Sequence, residues 1–212
     1  MRKFEDTLLY LTGLFVAIVV ISNVIAGKLV QVGPFVVPIA VFCYPLSFAF
    51  TDIISEVYGK HVASRVIRVG FGASIILVLF SLLVVVYPPA SFFEKNKAYV
   101  DVFGFTPRIV FASLLAYLAS QTHDIWAFHL WKKKTKGHHL WLRNNLSTMA
   151  SQFIDTAIFI SVAFVGIFPE AVVFKMLVSQ YLVKLFIAAL DTPFVYLGVR
   201  LITGKWEIKE SV

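Results

Sequence analysis

Charge is scarce in this chain. Asp, Glu, Lys and Arg make up 15% of its 212 residues, against 59% apolar side chains and a mean hydropathy of +0.83. That shortage excludes a water-soluble domain of this size, so lipid must solvate much of the surface. Cysteine is nearly absent: Cys43 stands alone inside an apolar run, which excludes an internal disulfide and leaves a catalytic or metal-binding thiol without companions. His138 and His139 have no cysteine or carboxylate partner at metal-ligand spacing, so neither a metal nor a cofactor is expected. No G-x-x-x-x-G-K-[ST] loop occurs, which excludes ATP hydrolysis by that device. The net charge of +7 would suit nucleic acid if read alone. Its basic residues gather instead in short loops between apolar runs, the membrane pattern, and no direct nucleic-acid binding is expected.

What is present are long hydrophobic runs. About 20 apolar residues make a helix that crosses a bilayer. Six segments qualify: Thr7–Gly27, Pro34–Val57, Arg65–Tyr87, Pro107–Trp131, Leu146–Phe168 and Ala171–Ile202, the last with a bend expected at Pro193. The first run is too long for a signal-peptide core and is expected to stay as the first span. "PPASFFEKNKAYVDVFG", between the third and fourth, reads as an interfacial loop or short helix. The expected fold is an all-α integral membrane protein of six transmembrane helices, one domain over residues 1–212. With the N-terminus inside, 13 basic residues fall on the inner side and 5 on the outer, dominated by "WKKKTKGHHLWLR". Both termini are therefore placed in the cytoplasm.

Against this apolar background stand residues that hydrocarbon penalises. "ASQTHDIWAF" at Ala119–Phe128 and "ASQFIDTAIF" at Ala150–Phe159 share the pattern A-S-Q-x-x-D-x-x-x-F. Asp52 and Glu56 lie in span two, Asp124 in four, Asp155 in five, Lys184 and Asp191 in six. Each ionisable group at bilayer depth costs about 2.5–3.5 kcal/mol, so the set costs on the order of 10 kcal/mol unless something offsets it. At about 100° per residue, Tyr117, Gln121, Asp124 and Phe128 form one stripe, and Thr148, Gln152, Asp155 and Phe159 another. Lys184, Ala188 and Asp191 align likewise. Both Gln–Asp centres fall about 5 Å to the cytoplasmic side of their span midpoints, so they can face one cavity. Ser22, Asn23, Ser120 and Ser151 read as hydrogen-bonding contacts between helices, worth about 0.6 kcal/mol each. His123 reads as a packing residue. Asp52 and Glu56 sit near the inner end of span two, where they can also cap the helix; Asp52 is the deeper and better candidate.

Aromatic rings on the polar stripes suit a flat heterocycle, since stacking tolerates many bases. Selectivity then falls to the carboxylates and amides. A carboxylate accepts the paired N–H donors of a guanine-like edge, while glutamine both donates and accepts. The spacing alone supports a polar small molecule in a membrane cavity.

"SN" at Ser22–Asn23, "TDIISEVYG" at Thr51–Gly59, "AYLASQTHD" at Ala116–Asp124, "SQFIDT" at Ser151–Thr156 and "YLVKLFIAALDTPFVY" at Tyr181–Tyr196 occur in this order. Together they resemble the queuosine precursor transporters, a family also described as vitamin uptake transporters. The resemblance implies a six-helix, multi-pass inner-membrane importer of 7-deazapurines such as 7-cyano-7-deazaguanine, 7-aminomethyl-7-deazaguanine, queuine or queuosine, which feed a modified base in transfer RNA. It implies substrate-binding roles for Asp52, Gln121, Asp124, Gln152, Asp155, Lys184 and Asp191; Tyr117 joins them from its place on the stripe. Two other readings stay open. The chain can be the substrate-binding subunit of a larger importer, since Gly13 and Ala17 have the small-xxx-small spacing that permits a close helix partner, and a homo-oligomer is a further option. Alternatively Asp124 and Asp155 form an intramembrane aspartyl pair that activates water, although Lys184 would spoil the shared proton.

Overall fold

A computed structural model describes the backbone of residues 2–134 and 140–204. Within that range the side chains of residues 2–4, 45, 121, 124, 125, 128, 129, 131–134, 140–148, 188–193 and 196 lie outside the description. The described residues are all-α apart from one hairpin. Helix α1 (Arg2–Ile25) leads into strands β1 (Leu29–Val32) and β2 (Phe35–Pro38), a 3₁₀ turn (Ile39–Phe42), and helix α2 (Tyr44–Tyr58). Helices α3 (Lys60–Val86), α4 (Asn96–Lys134), α5 (Leu140–Phe164) and α6 (Glu170–Thr203) complete it. Among the described residues four helical stretches are long and apolar enough to cross a membrane: Glu5–Ile25, Ile39–Tyr58, Lys60–Val86 and Asn96–Ser120; Met149–Phe164 is a shorter apolar helix.

Two details differ from the expectation. The second apolar segment does not enter its helix at Pro34. Leu29–Pro38 is rich in β-branched residues, and Gly33, at φ +57, makes the left-handed turn that reverses the chain, so the segment forms a hairpin. Only the first half of the stretch after α3 is irregular: from Asn96 it is helical and runs without a break through Pro107. Pro107 offers no N–H to the carbonyl one turn back, and the Thr106 hydroxyl donates to Val102 O at 3.1 Å beside that gap. Helix α6 is likewise continuous from Glu170 to Thr203. The bend expected at Pro193 concerns a residue outside the described side chains.

The chain divides into two compact units. The first holds α1, α2, α3, the start of α4 and the end of α6; the second holds most of the hairpin, the rest of α4, α5 and the start of α6.

In the first unit Phe15, Ile54, Ala63 and Val66 form a buried cluster joining α1, α2 and α3. Helix α2 stops at Gly59, at φ +87, and α3 starts at the next residue. The polar residues at these contacts are bonded, Asn23 across to another helix and Ser74 also to its own. Asn23 Nδ2 donates to Ser74 Oγ at 3.4 Å, Ser74 Oγ donates to Gly70 O at 3.0 Å, and Ser22 Oγ lies 3.1 Å from Cys43 Sγ. The outer face of α3 stays bare: Val69, Ile75, Ile76, Leu79, Phe80 and Val86 are all more than half exposed. So continuous an apolar face is a liability in water and ordinary in lipid.

Gly70 is where α1 and α3 come close. A Cβ there would stand 2.6 Å from Phe15 Cε1. Gly70→Ala is expected to lower the melting temperature in detergent, corresponding to about 1–3 kcal/mol of overpacking. Adding Phe15→Leu should recover part of the loss; an unshifted melt for Gly70→Ala would show that the two helices are not held this tightly.

Candidate functional site

The second unit is organised by charge meeting backbone and charge meeting charge. Arg108, one residue past Pro107 on α4, donates through Nε to Val162 O at 2.7 Å and through Nη2 to Val165 O at 2.6 Å. These carbonyls belong to the C-terminal end of α5 and the residue just past it, where a helix has acceptors to spare and a negative pole. At the other end of the same helix pair, His123 Nδ1 lies 3.1 Å from Ser151 Oγ. The two contacts fix an antiparallel register in which backbone position 121 is level with 152, and 117 with 155. The two Ser-Gln-x-x-Asp patterns thus stand side by side along α4 and α5.

Helix α6 completes the arrangement. The Lys184 ammonium is bonded to the Asp155 carboxylate, and their side chains retain only 10% and 17% of their full exposure. One turn before Asp155, Gln152 is half-buried and its carbonyl accepts the fully buried Thr156 hydroxyl at 2.8 Å. Tyr181, on α6, meets Phe153 edge to face with ring centres 5.5 Å apart and donates through its hydroxyl to Met149 O at 3.3 Å. Lys184 lies roughly 21 Å along α6 at 1.5 Å per residue, too far for its ammonium to reach the start of that helix. The pair answers its own desolvation: either charge alone would be uncompensated, while together they can stay in a water-poor place.

The sequence-derived candidates fall into three groups. Asp155 and Lys184 are in direct contact, with Gln152 one turn from the pair and half-buried Tyr117 level with Asp155. Asp52 lies exposed on α2, in the first unit. The side chains of Gln121, Asp124 and Asp191 lie outside the described residues. Ser120, expected to bridge helices, bonds back to Tyr117 O in its own helix, whereas Ser151 does bridge, to His123. Arg108, one of the 5 basic residues placed on the outer side by the charge count, was given no role there, and its clamp on α5 was missed. The signal was there, since "FTPRIVF" puts an arginine inside an apolar run.

Among the described residues no group of three His, Cys, Asp or Glu side chains is placed to hold a metal ion. An open groove of about 580 Å³ runs along one face of α4 between Leu115 and Trp126. Its lining is almost wholly apolar, which suits a lipid chain better than a polar heterocycle.

Comparison with known proteins places the chain. Residues 38–198 match the family described as "Putative vitamin uptake transporter". The chain is 34% identical over 194 residues to the "Probable queuosine precursor transporter" of Bacillus subtilis (strain 168), covering 90% of this chain and 85% of the relative. It is 25% identical over 174 residues to the "Queuosine precursor transporter" of Escherichia coli (strain K12), covering 77% and 74%. No solved structure gives a significant match.

The ion pair makes a specific demand on stability. Asp155→Asn and Lys184→Met should each lower the melting temperature in detergent, by up to about 3 kcal/mol, because each leaves a charge without its partner. The double variant should melt close to the parent. A double variant as unstable as the sum of the singles would show that the two charges are held by other groups.

Proposed function

The chain belongs to the "Putative vitamin uptake transporter" family, whose members are transporters rather than enzymes, and from that premise we propose that it imports queuosine precursors through the cell's inner membrane. The cargo in this reading is a 7-deazaguanine, such as 7-cyano-7-deazaguanine or 7-aminomethyl-7-deazaguanine, on its way to a modified base in transfer RNA. The names of the two relatives support the substrate class, and the Asp155–Lys184 pair supports the site. Residues 1–212 act as one transport domain in this account. All six long helices cross, with both termini and the basic Lys132–Arg143 loop in the cytoplasm, as the distribution of Lys and Arg favours.

The mechanism proposed is alternating access around the charged centre. Asp124 and Asp155, with Gln121 and Gln152, hydrogen-bond the polar edge of the heterocycle from successive levels of the site, and Tyr117 lies against the ring. Asp52 and Asp191 serve as further polar contacts for the substrate. In the empty protein Lys184 neutralises Asp155. When the substrate takes that carboxylate, Lys184 turns to another acceptor, so no charge is left bare at any stage.

Purified protein in liposomes should accumulate labelled 7-cyano-7-deazaguanine or 7-aminomethyl-7-deazaguanine above empty vesicles, and Lys184→Ala should reduce uptake to background while still reaching the membrane. Uptake by the chain alone also excludes the reading in which it is only the binding subunit of a larger importer. Failure of the parent protein to move either compound would overturn the proposal, and wild-type uptake by Lys184→Ala would remove the ion pair from the mechanism.

A further inference from the structure

Nearly every buried polar side chain among the described residues is bonded. Ser22, Asn23, Ser47, Ser74, Thr106, Ser120, Ser151, Thr156 and Ser179 each have a partner. Two atoms do not: Ser81 Oγ on α3 and Gln180 Oε1 on α6. The serine is easily explained, because a hydroxyl in a membrane helix can rotate onto the carbonyl of its own preceding turn. A glutamine amide has no such local acceptor and donor pair at hand. Gln180 keeps only 7% of its exposure, yet its side-chain oxygen meets no donor among the described residues.

Its neighbours sharpen the contrast. Ser179 accepts the Val36 N–H of strand β2 at 3.2 Å, and Tyr181 bonds Met149 O across to α5, so the residues on either side are used in packing the unit. Gln180 is not. It lies one turn before Lys184 and about 40° from it around the helix, on the face that carries the ion pair. Ser179-Gln180 is also a third Ser-Gln step, after Ser120-Gln121 and Ser151-Gln152. Each of the three helices of this unit carries one, with a buried serine, and each glutamine stands about one turn before an ionisable residue: Asp124, Asp155 and Lys184.

We infer that Gln180 belongs to the binding site, its Oε1 accepting a hydrogen bond from an N–H of the transported heterocycle. This rests on the transport reading above and adds to it a recognition atom. A buried acceptor without a donor destabilises the protein that carries it; filling it with a ligand N–H turns that desolvation into affinity and rejects cargo with nothing to donate. The cargo class it selects is a planar base with N–H donors on the edge turned to α6, as opposed to one presenting only ring-nitrogen or carbonyl acceptors.

The test is Gln180→Met, which keeps the shape and removes the acceptor. The variant and its parent are compared by thermal melting in detergent and, in liposomes, by KM for 7-cyano-7-deazaguanine. The inference expects a melt equal to or above the parent's and a KM raised about tenfold, the value of one lost hydrogen bond. A variant that melts lower or fails to fold assigns Gln180 to the framework and overturns the inference, as does an unchanged KM beside a parent that transports. If the parent takes up no 7-deazaguanine, the functional reading falls on its own. The melt then decides: a destabilised variant sinks the recognition role, and an equal or more stable one keeps it for another base with N–H donors.

Discussion

An ammonium and a carboxylate held against each other, well inside apolar helices, set the terms for the second unit of this protein. Each of Lys184 and Asp155 compensates the other's desolvation, and losing either leaves a buried charge without its partner. Their contact therefore binds α5 to α6 at one level. Under the proposed function it also poises the site, because a substrate that binds the carboxylate must contend with the lysine. A neutral hydrogen-bonded contact would hold the helices with less free energy at stake and would carry no such competition.

Other contacts in the unit keep that level. Arg108 seizes the carbonyls at the end of α5, and His123 meets Ser151 roughly four turns away, so α4 cannot slide along α5 without losing one or the other. Tyr181 reaches the backbone of α5, while the hairpin is tied to α6 through Ser179. These contacts use backbone groups, two serines, a histidine ring, an arginine and a tyrosine hydroxyl. Among the described residues of the Ser-Gln steps, Gln180 Oε1 is not spent on the framework, and Asp155 is bonded to Lys184.

Much of this was legible before any coordinates. Apolar runs of helical length marked where the six helices lie, and four of the described stretches are long and apolar enough to cross a membrane, since a lipid-solvated segment shows itself by length without amphipathic periodicity. Asp155 and Lys184 stood out because a charge in such a run demands a partner, although the pairing itself depends on a register that only the fold supplies. The hairpin was hidden because Pro34 resembles a helix N-terminus as much as a turn, and the choice rested on Gly33 and the β-branched residues around it. The extension of α4 back to Asn96 was hidden because proline usually ends a helix, whereas Pro107 is carried within this one. Gln180 went unremarked for a plainer reason: its Ser-Gln step lacks the aspartate three residues on that made the other two conspicuous, and its significance comes from burial without a partner.

The most direct measurement on the central claim is uptake by the charge-reversed protein, Asp155→Lys together with Lys184→Asp, reconstituted in liposomes with 7-cyano-7-deazaguanine. Reversal preserves the ion pair and moves the carboxylate from α5 to α6. If the pair is a substrate site guarded by its own counter-ion, the variant should fold and melt near the parent yet transport nothing, because the carboxylate no longer stands where the heterocycle meets it. Full transport by the reversed protein would mean that the two charges only fasten the helices together, and the account of the site built on them would be contradicted.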